Sequence, residues 1–397
     1  MGRDGATQPS RLASIDAYRG FVMLLLLAEV LRFCTVSVGL PDSSFWRFLC
    51  YHQTHAAWVG VSLHDMIMPS FCFLVGMSLA YSLARRKARG ATPAELWRHV
   101  VLRSFLLIAL GMANIVIHNH QVMYPFDWIL PQIGLGYIGL FWVSQRPARE
   151  AWFYFVLILI LDWLAFALYP TPATDFDYSK VGVSQSWLNE NGLTGFEAHW
   201  QKNSNVAWAF DVWLLNLFQA ESPLGFARGL TTLNFVPTIS TMILGLIAGR
   251  VVRSEKDTWE KLRWLVSAGV LGILSGWLLS STGYCPLVKW LWTPSWVLFS
   301  GGLCLNVLAF SFLIVDVKGY KRVVFPLIVI GMNSIIAYLL YQIHSGLAFY
   351  ALRRLAGRNI FAYFGDAYEP FVYGLAILIG YWVILYVMYR KNIFLHL

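Results

Sequence analysis

Continuous apolar blocks, each close to or above the length of a membrane span, limit what this chain can fold into. A helix needs about 20 residues to cross a hydrocarbon core roughly 30 Å thick. Ten blocks of that kind lie near 15–39, 58–84, 99–118, 127–144, 151–169, 233–250, 262–281, 289–315, 323–350 and 370–389. Strands of a membrane barrel alternate in polarity over about 10 residues. These blocks do not alternate, which excludes a barrel. Of the 397 residues, 58% are hydrophobic and only 13% charged, where a water-soluble domain carries roughly 25% charged residues. The expected fold is therefore all-α: a polytopic integral membrane bundle of about ten transmembrane helices, forming a single domain over residues 1–397.

The net charge of +9 reads as topology and not as a nucleic-acid surface. The connectors at 85–98 (RRKARGATPAELWR), 145–150 (QRPARE), 250–261 (RVVRSEKDTWEK) and 317–322 (VKGYKR) are basic. The positive-inside rule makes them cytoplasmic, together with both termini, and divides Lys and Arg into about 21 inside and about 9 outside. One loop, 351–369, is discordant, because it puts Arg353, Arg354 and Arg358 outside. The segment 170–230 is rich in Trp, Asn, Asp and Phe and is expected to fold as an extracytoplasmic cap. A chain with this hydropathy has membrane lipids as its surroundings. The lack of an Asn-x-Ser/Thr sequon fits a bacterial inner membrane.

The five cysteines, Cys34, Cys50, Cys72, Cys285 and Cys304, make no CxxC pair or zinc spacing. Cys50 and Cys285 both fall on the expected outer side, where a disulfide between them could persist.

Ionisable groups at membrane depth need a partner or a watery cavity. Asp16 and Arg19 stand one helical turn apart at the start of the first span, either as a local ion pair or as the lining of an entrance. Glu29 and Arg32 repeat that spacing near its outer end. His52, His55, His64 and Asp65 cluster in YHQTHAAWVGVSLHDMIMPSF. They can be structural histidines, an HxxH metal pair completed by His118 or His120, or a catalytic base; no metal is expected, since no HExxH or Cys–His pattern accompanies them. Were 55–65 one helix, His55 and Asp65 would lie about 15 Å apart along its axis and would not touch. Pro69 would then kink the span. Asn114, Gln132, Asp162, Asn306, Asn333, Gln342 and His344 read individually as inter-helix contacts, worth about 0.6 kcal/mol each.

An ordered set of motifs goes further. IDAYRGF (15–21), HAAWVGVSLHDMIMPSF (55–71), LRSFLLIALG (102–111), ILPQIGLGY (129–137), FVPTISTMILGLIAG (235–249), LWTPSWVLFSGG (291–302), IVDVKG (314–319) and GMNSIIAYLL (331–340) follow one another in order. In this the chain resembles the transmembrane heparan-α-glucosaminide N-acetyltransferase family over roughly residues 11–350. Val30 stands where the family commonly has Asn, and Pro131-Gln132 where it has Gln-Arg. The resemblance implies transfer of an acetyl group from cytosolic acetyl-CoA to an amine or hydroxyl of an extracytoplasmic sugar or glycan. His55 is the position that matches the family's catalytic histidine, as general base or transient acyl acceptor. Asp65, Asp16 and Asn333 are candidate supporting residues along a polar tunnel. Arg85, Arg86, Arg98 and Arg103 could hold the phosphates of the donor or simply set topology. The resemblance also suggests a homodimer. A transporter or flippase of a polar or lipid-linked solute is the competing expectation, weakened by the lack of an internal repeat.

Overall fold

The computed structural model describes residues 12–119, 126–217, 229–343, 354 and 361–395. His120, His344, Arg353 and Arg358, and the side chains of Asn114 and His118, lie outside the described residues. The helices met in chain order are α1 (Ala13–Leu27), α2 (Phe33–Gly39), α3 (Ser44–Gln53), α4 (Ile67–Ala88), α5 (Pro93–Asn119), α6 (Ile129–Ser144), α7 (Ala148–Ala167) and α8 (Gln185–Asn191). They continue as α9 (Val206–Asn216), α10 (Phe235–Arg253), α11 (Thr258–Ser281), α12 (Pro294–Phe312), α13 (Phe325–Met332), α14 (Ser334–Ile343) and α15 (Glu369–Arg390). Each of the ten apolar blocks carries α-helix among the described residues. Among the described residues, 8 helices are long and apolar enough to cross a membrane. The block near 323–350 is instead a pair of helices bent by 80° at Asn333, and α6, with 16 residues, is shorter than a full span. On α11, Leu271, Leu274, Trp277 and Leu278 are exposed. An apolar stripe of that extent belongs against lipid.

The chain divides into two compact units, residues 1–53 with 307–397, and residues 54–306. In the first unit α1 packs against α13 through glycines on both sides. A Cβ at Gly20 would land on the Leu327 carbonyl, and one at Gly331 on that of Asp16. Asp16 makes the local ion pair with Arg19, at 3.4 Å. The first span breaks at Arg32, whose φ of 50° is left-handed. Gln53 closes the break: its Nε2 donates to Ala28 O at 2.7 Å, and its Oε1 accepts from Phe33 N at 2.8 Å. The disulfide joins Cys34 to Cys50 and not Cys50 to Cys285, which is a buried free thiol. The physical reason is that the turn at 40–43, closed by Ser43 N donating to Leu40 O at 3.1 Å, reverses the chain, so that α2 and α3 pair as a short hairpin and bring these two Cα atoms to 4.4 Å. Asn333 is fully buried and ties down the chain end, donating to Ile393 O at 3.0 Å and accepting from Leu395 N at 3.3 Å.

In the second unit α10 packs against α4, α6 and α7. The closest approach is to α4, where a Cβ at Gly76 would meet the Met242 carbonyl and one at Gly245 the Phe73 carbonyl. Small residues let membrane helices gain van der Waals contact that lipid cannot replace. Two arginines near the end of α10 fasten the basic end of this unit. Arg250 donates to Ser144 O and Arg146 O at 2.8 and 3.0 Å, and Arg253 to Ala80 O at 2.8 Å. Ser144 is the last residue of α6, a helix C-terminal end where cations are favoured. At the opposite end of α4 the cap segment is folded: Trp200 is fully buried and shares a core with Trp58, Phe166, Ala207, Cys285, Val288 and Leu291. Gln132 is fully buried in α6, and its Nε2 donates to Phe126 O at 2.6 Å and to Thr231 O at 3.0 Å.

Two expectations about the second span fail. Its helix does not reach back to residue 58, because 54–63 is a loop that leads into a 3₁₀ turn, His64–Met66. Pro69 does not kink the helix either. It is the third residue of α4, within the first turn, where the backbone N–H has no helical acceptor and proline removes nothing.

Candidate active site

The 54–63 loop is held from three sides within the second unit. Val59 and Val288 form an antiparallel bridge, and Gly60 N donates to Leu287 O at 3.1 Å. Gly60 has φ of +126°, a conformation that a side chain would strain. Trp58 is buried, and its indole N–H donates to Trp200 O at 3.1 Å in the cap. Trp290 Nε1 donates to Ala56 O at 2.8 Å. Asp65 gathers the loop around one carboxylate: Oδ2 accepts from Ala56 N, Ser62 N and Ser62 Oγ at 3.1, 3.0 and 3.0 Å.

The other oxygen of that carboxylate contacts His55. Asp65 Oδ1 is 2.7 Å from His55 Nδ1. This overturns the separation of about 15 Å that a helix over 55–65 would impose; a loop shortens the span where a helix would extend it. Nδ1 bears at most one hydrogen, and so short a contact with a carboxylate requires it there, so Nδ1–H donates to Asp65. That leaves Nε2 with the lone pair. Asp65 thus fixes both the tautomer and the ring orientation of His55.

The spacing of the histidines does not reveal the third member. Lys289 Nζ lies 2.9 Å from His55 Nδ1, 3.3 Å from His55 Nε2 and 3.4 Å from Asp65 Oδ1. Its side chain is 6% exposed and that of Asp65 0%, whereas the imidazole is 37% exposed. Only the histidine is open for a substrate to reach. The His64 ring stands 4.6 Å from that of His55, and Trp290 meets the imidazole edge-on at 5.4 Å. Lys289 Nζ is 4.7 Å from the centroid of the Trp290 ring.

Lys289 is positioned by the LWTPSW motif that follows it. Trp292 takes a left-handed φ of 53° and donates to Thr241 Oγ1 at 3.2 Å, which ties the turn to α10. Thr293 Oγ1 accepts from Val288 N at 3.2 Å and donates to Pro286 O at 2.9 Å. One sequence signal could have singled out Lys289: it is a lone cation in an apolar, Trp-rich stretch at the end where basic residues are scarce.

Burial is the main reason that the His55 pKa lies below its ordinary value, and the adjacent Lys289 lowers it further, while the hydrogen bond and charge of Asp65 oppose both. Burial also brings Lys289 down to about 8, against the pull of Asp65. A neutral imidazole beside a half-willing ammonium can accept a proton at one atom and give one from another.

Of the other expected site residues, the structure brings the arginines to one end of the second unit. Arg85, Arg86 and Arg98 are exposed, and Arg86 Nη2 donates to His99 Nε2 at 3.0 Å. Arg103 is half-buried, donates to Tyr137 OH at 3.1 Å and stacks over that ring at 4.8 Å. Its buried Nε–H has no acceptor among the described residues. Residues 65 and 85 are about 30 Å apart along α4, close to one hydrocarbon thickness. Asp16 and Asn333 belong to the first unit, with the local partners described above. His52 also lies in the first unit, on α3, with its ring against Phe48 at 4.5 Å.

No family model matches the chain. Two curated proteins do, both called heparan-alpha-glucosaminide N-acetyltransferase. The human protein is 24% identical over 432 residues, which covers 97% of this chain and 60% of the human one. The mouse protein is 24% identical over 379 residues, covering 84% of this chain and 54% of its own length. The chain therefore spans somewhat over half the length of the curated relatives it matches. Over most of its length this all-helical chain, with its membrane-length apolar helices, is thus similar to two heparan-alpha-glucosaminide N-acetyltransferases.

Proposed function

We propose that the chain is a transmembrane acetyltransferase that moves an acetyl group from acetyl-CoA to an amine or hydroxyl of an extracytoplasmic sugar or glycan. The observation that carries this reading is the 2.7 Å contact between the accessible His55 and the buried Asp65. An imidazole held in one tautomer, with the lone pair on Nε2, serves as a general base toward a sugar amine or hydroxyl. The names of the two curated relatives support the same chemistry.

Acetyl-CoA supplies the activated acyl group as a thioester. The arginine end fits its anionic portion: Arg85, Arg86 and Arg98 are exposed there, and Arg103, ten residues into α5, keeps a buried donor without an acceptor among the described residues. Guanidinium groups pair well with phosphate oxygens. With the phosphates at that end and His55 at the other, the acetyl group travels about one hydrocarbon thickness before it reacts. His55 then removes the acceptor's proton as the carbonyl is attacked. Asp65 stabilises the imidazolium that forms. The cap sets Trp200 against Trp58 of the loop that bears His55, and so keeps that loop in register with Lys289.

The test is acetyl-CoA binding to purified protein, wild type against His55→Ala, followed by CoA release with glucosamine as acceptor. Saturable binding in both, with turnover lost in the variant alone, is the expected result. Folded wild-type protein that does not bind acetyl-CoA would overturn the reading and bring the transporter forward.

A further inference from the structure

Lys289 is buried beside a histidine and a carboxylate in a setting that packing does not explain. An ammonium with 6% of its side chain exposed loses its hydration, and a buried ion pair seldom repays that loss in stability. A hydrophobic residue would fill the same space beside Trp290. The groups that face this ammonium are Asp65 and His55, with His64 next in line against the His55 ring.

We propose that Lys289 is the general acid of the transfer and His55 its base, the two passing one proton between them. The inference rests on the acetyltransferase reading. In the step, the acceptor nitrogen or oxygen forms a bond to the acetyl carbon while the bond from that carbon to sulfur breaks. His55 Nε2 takes the proton from the attacking atom. The Lys289 ammonium gives a proton to the departing sulfur, which leaves as a neutral thiol. The pair is then an imidazolium beside a neutral amine, 3.3 Å apart, and transfer of the proton from Nε2 to Nζ restores the starting state. No outside proton donor is needed, and a site with one open edge does not have to exchange with bulk water between turnovers.

The pair predicts a bell-shaped dependence of kcat on pH. Activity falls on the acid side as His55 becomes protonated, below the ordinary histidine value, and on the alkaline side as Lys289 loses its proton near pH 8. The experiment is the kcat–pH profile of the full-length protein with acetyl-CoA and glucosamine for wild type, Lys289→Met and Lys289→Arg. Lys289→Met is expected to lower kcat by about 10²-fold or more, to keep the KM for acetyl-CoA and to lose the alkaline limb. Lys289→Arg is expected to lower kcat as well, because a guanidinium does not release its proton to sulfur, and to show no alkaline limb near pH 8. A Met variant with wild-type kcat, or with the alkaline limb intact, would overturn the proposal. If the Met variant does not fold, as read from lost acetyl-CoA binding, the limb of the Arg variant decides alone. Wild-type protein that binds acetyl-CoA but never releases CoA is a different failure, that of the transferase reading itself.

Discussion

His55 and Asp65 stand ten residues apart in the chain and 2.7 Å apart in space. The contact exists because residues 54–63 fold back as a loop whose own backbone N–H groups at Ala56 and Ser62 end on the same carboxylate. Asp65 therefore organises the segment that carries its partner.

Asp65→Asn tests that relation. An amide cannot replace both oxygens as acceptors, and it no longer holds the proton on Nδ1 or balances the imidazolium. The variant should bind acetyl-CoA as wild type does, while kcat falls by about 10²- to 10⁴-fold. Steady-state kinetics at saturating acetyl-CoA checks it, and an unchanged kcat would remove Asp65 from the mechanism.

Arg103→Ala and Arg86→Ala probe the donor end. A charge-assisted hydrogen bond contributes about 1.5–3 kcal/mol, so each loss should weaken acetyl-CoA binding by about 10-fold or more. The deficit should narrow for a donor that lacks phosphates, such as acetylated pantetheine. Calorimetry on the purified variants measures both. Equal affinity for wild type and both variants would leave these arginines with topology alone.

The Cys34–Cys50 disulfide allows a reading of orientation. The remaining described cysteines, Cys72, Cys285 and Cys304, are buried, and burial raises the Cys285 thiol to about 12, which leaves it little thiolate to react. A membrane-impermeant maleimide added to intact cells should label nothing before reduction and two sites after it. Labelling that needs the membrane broken open would put the α2–α3 hairpin on the cytoplasmic side.

Gly245→Val tests the α4–α10 contact. The new Cβ would land on the Phe73 carbonyl, a backbone atom that cannot swing aside. Overpacking of this kind costs about 1–3 kcal/mol and sometimes more. The midpoint of thermal unfolding in detergent should drop clearly, and an unchanged midpoint would mean that the helices separate there without penalty.

The membrane class followed from hydropathy alone, because spanning length is a one-dimensional property: about 20 apolar residues either are present or are not. For the same reason each of the ten blocks carries helix among the described residues, and local spacing paired Asp16 with Arg19. His55 came to notice through motif order, which also survives without coordinates. What the sequence could not supply was anything that depends on a chain reversal. The loop at 54–63 was hidden because WVGV is as apolar as the span it precedes, and its pairing with residues 287–288 and its hydrogen bonds to Asp65 hold it out of the helix. The same was true of the partner of Cys50, set by the turn at 40–43, and of the bend at Asn333. Lys289 lies 234 residues from His55, and no pattern along the chain relates them. The sequence by itself determined that this protein lives in a bilayer and which histidine to watch. Only the tertiary structure decided which groups share that histidine's proton, because proton sharing is set by distances of about 3 Å between residues remote in the chain.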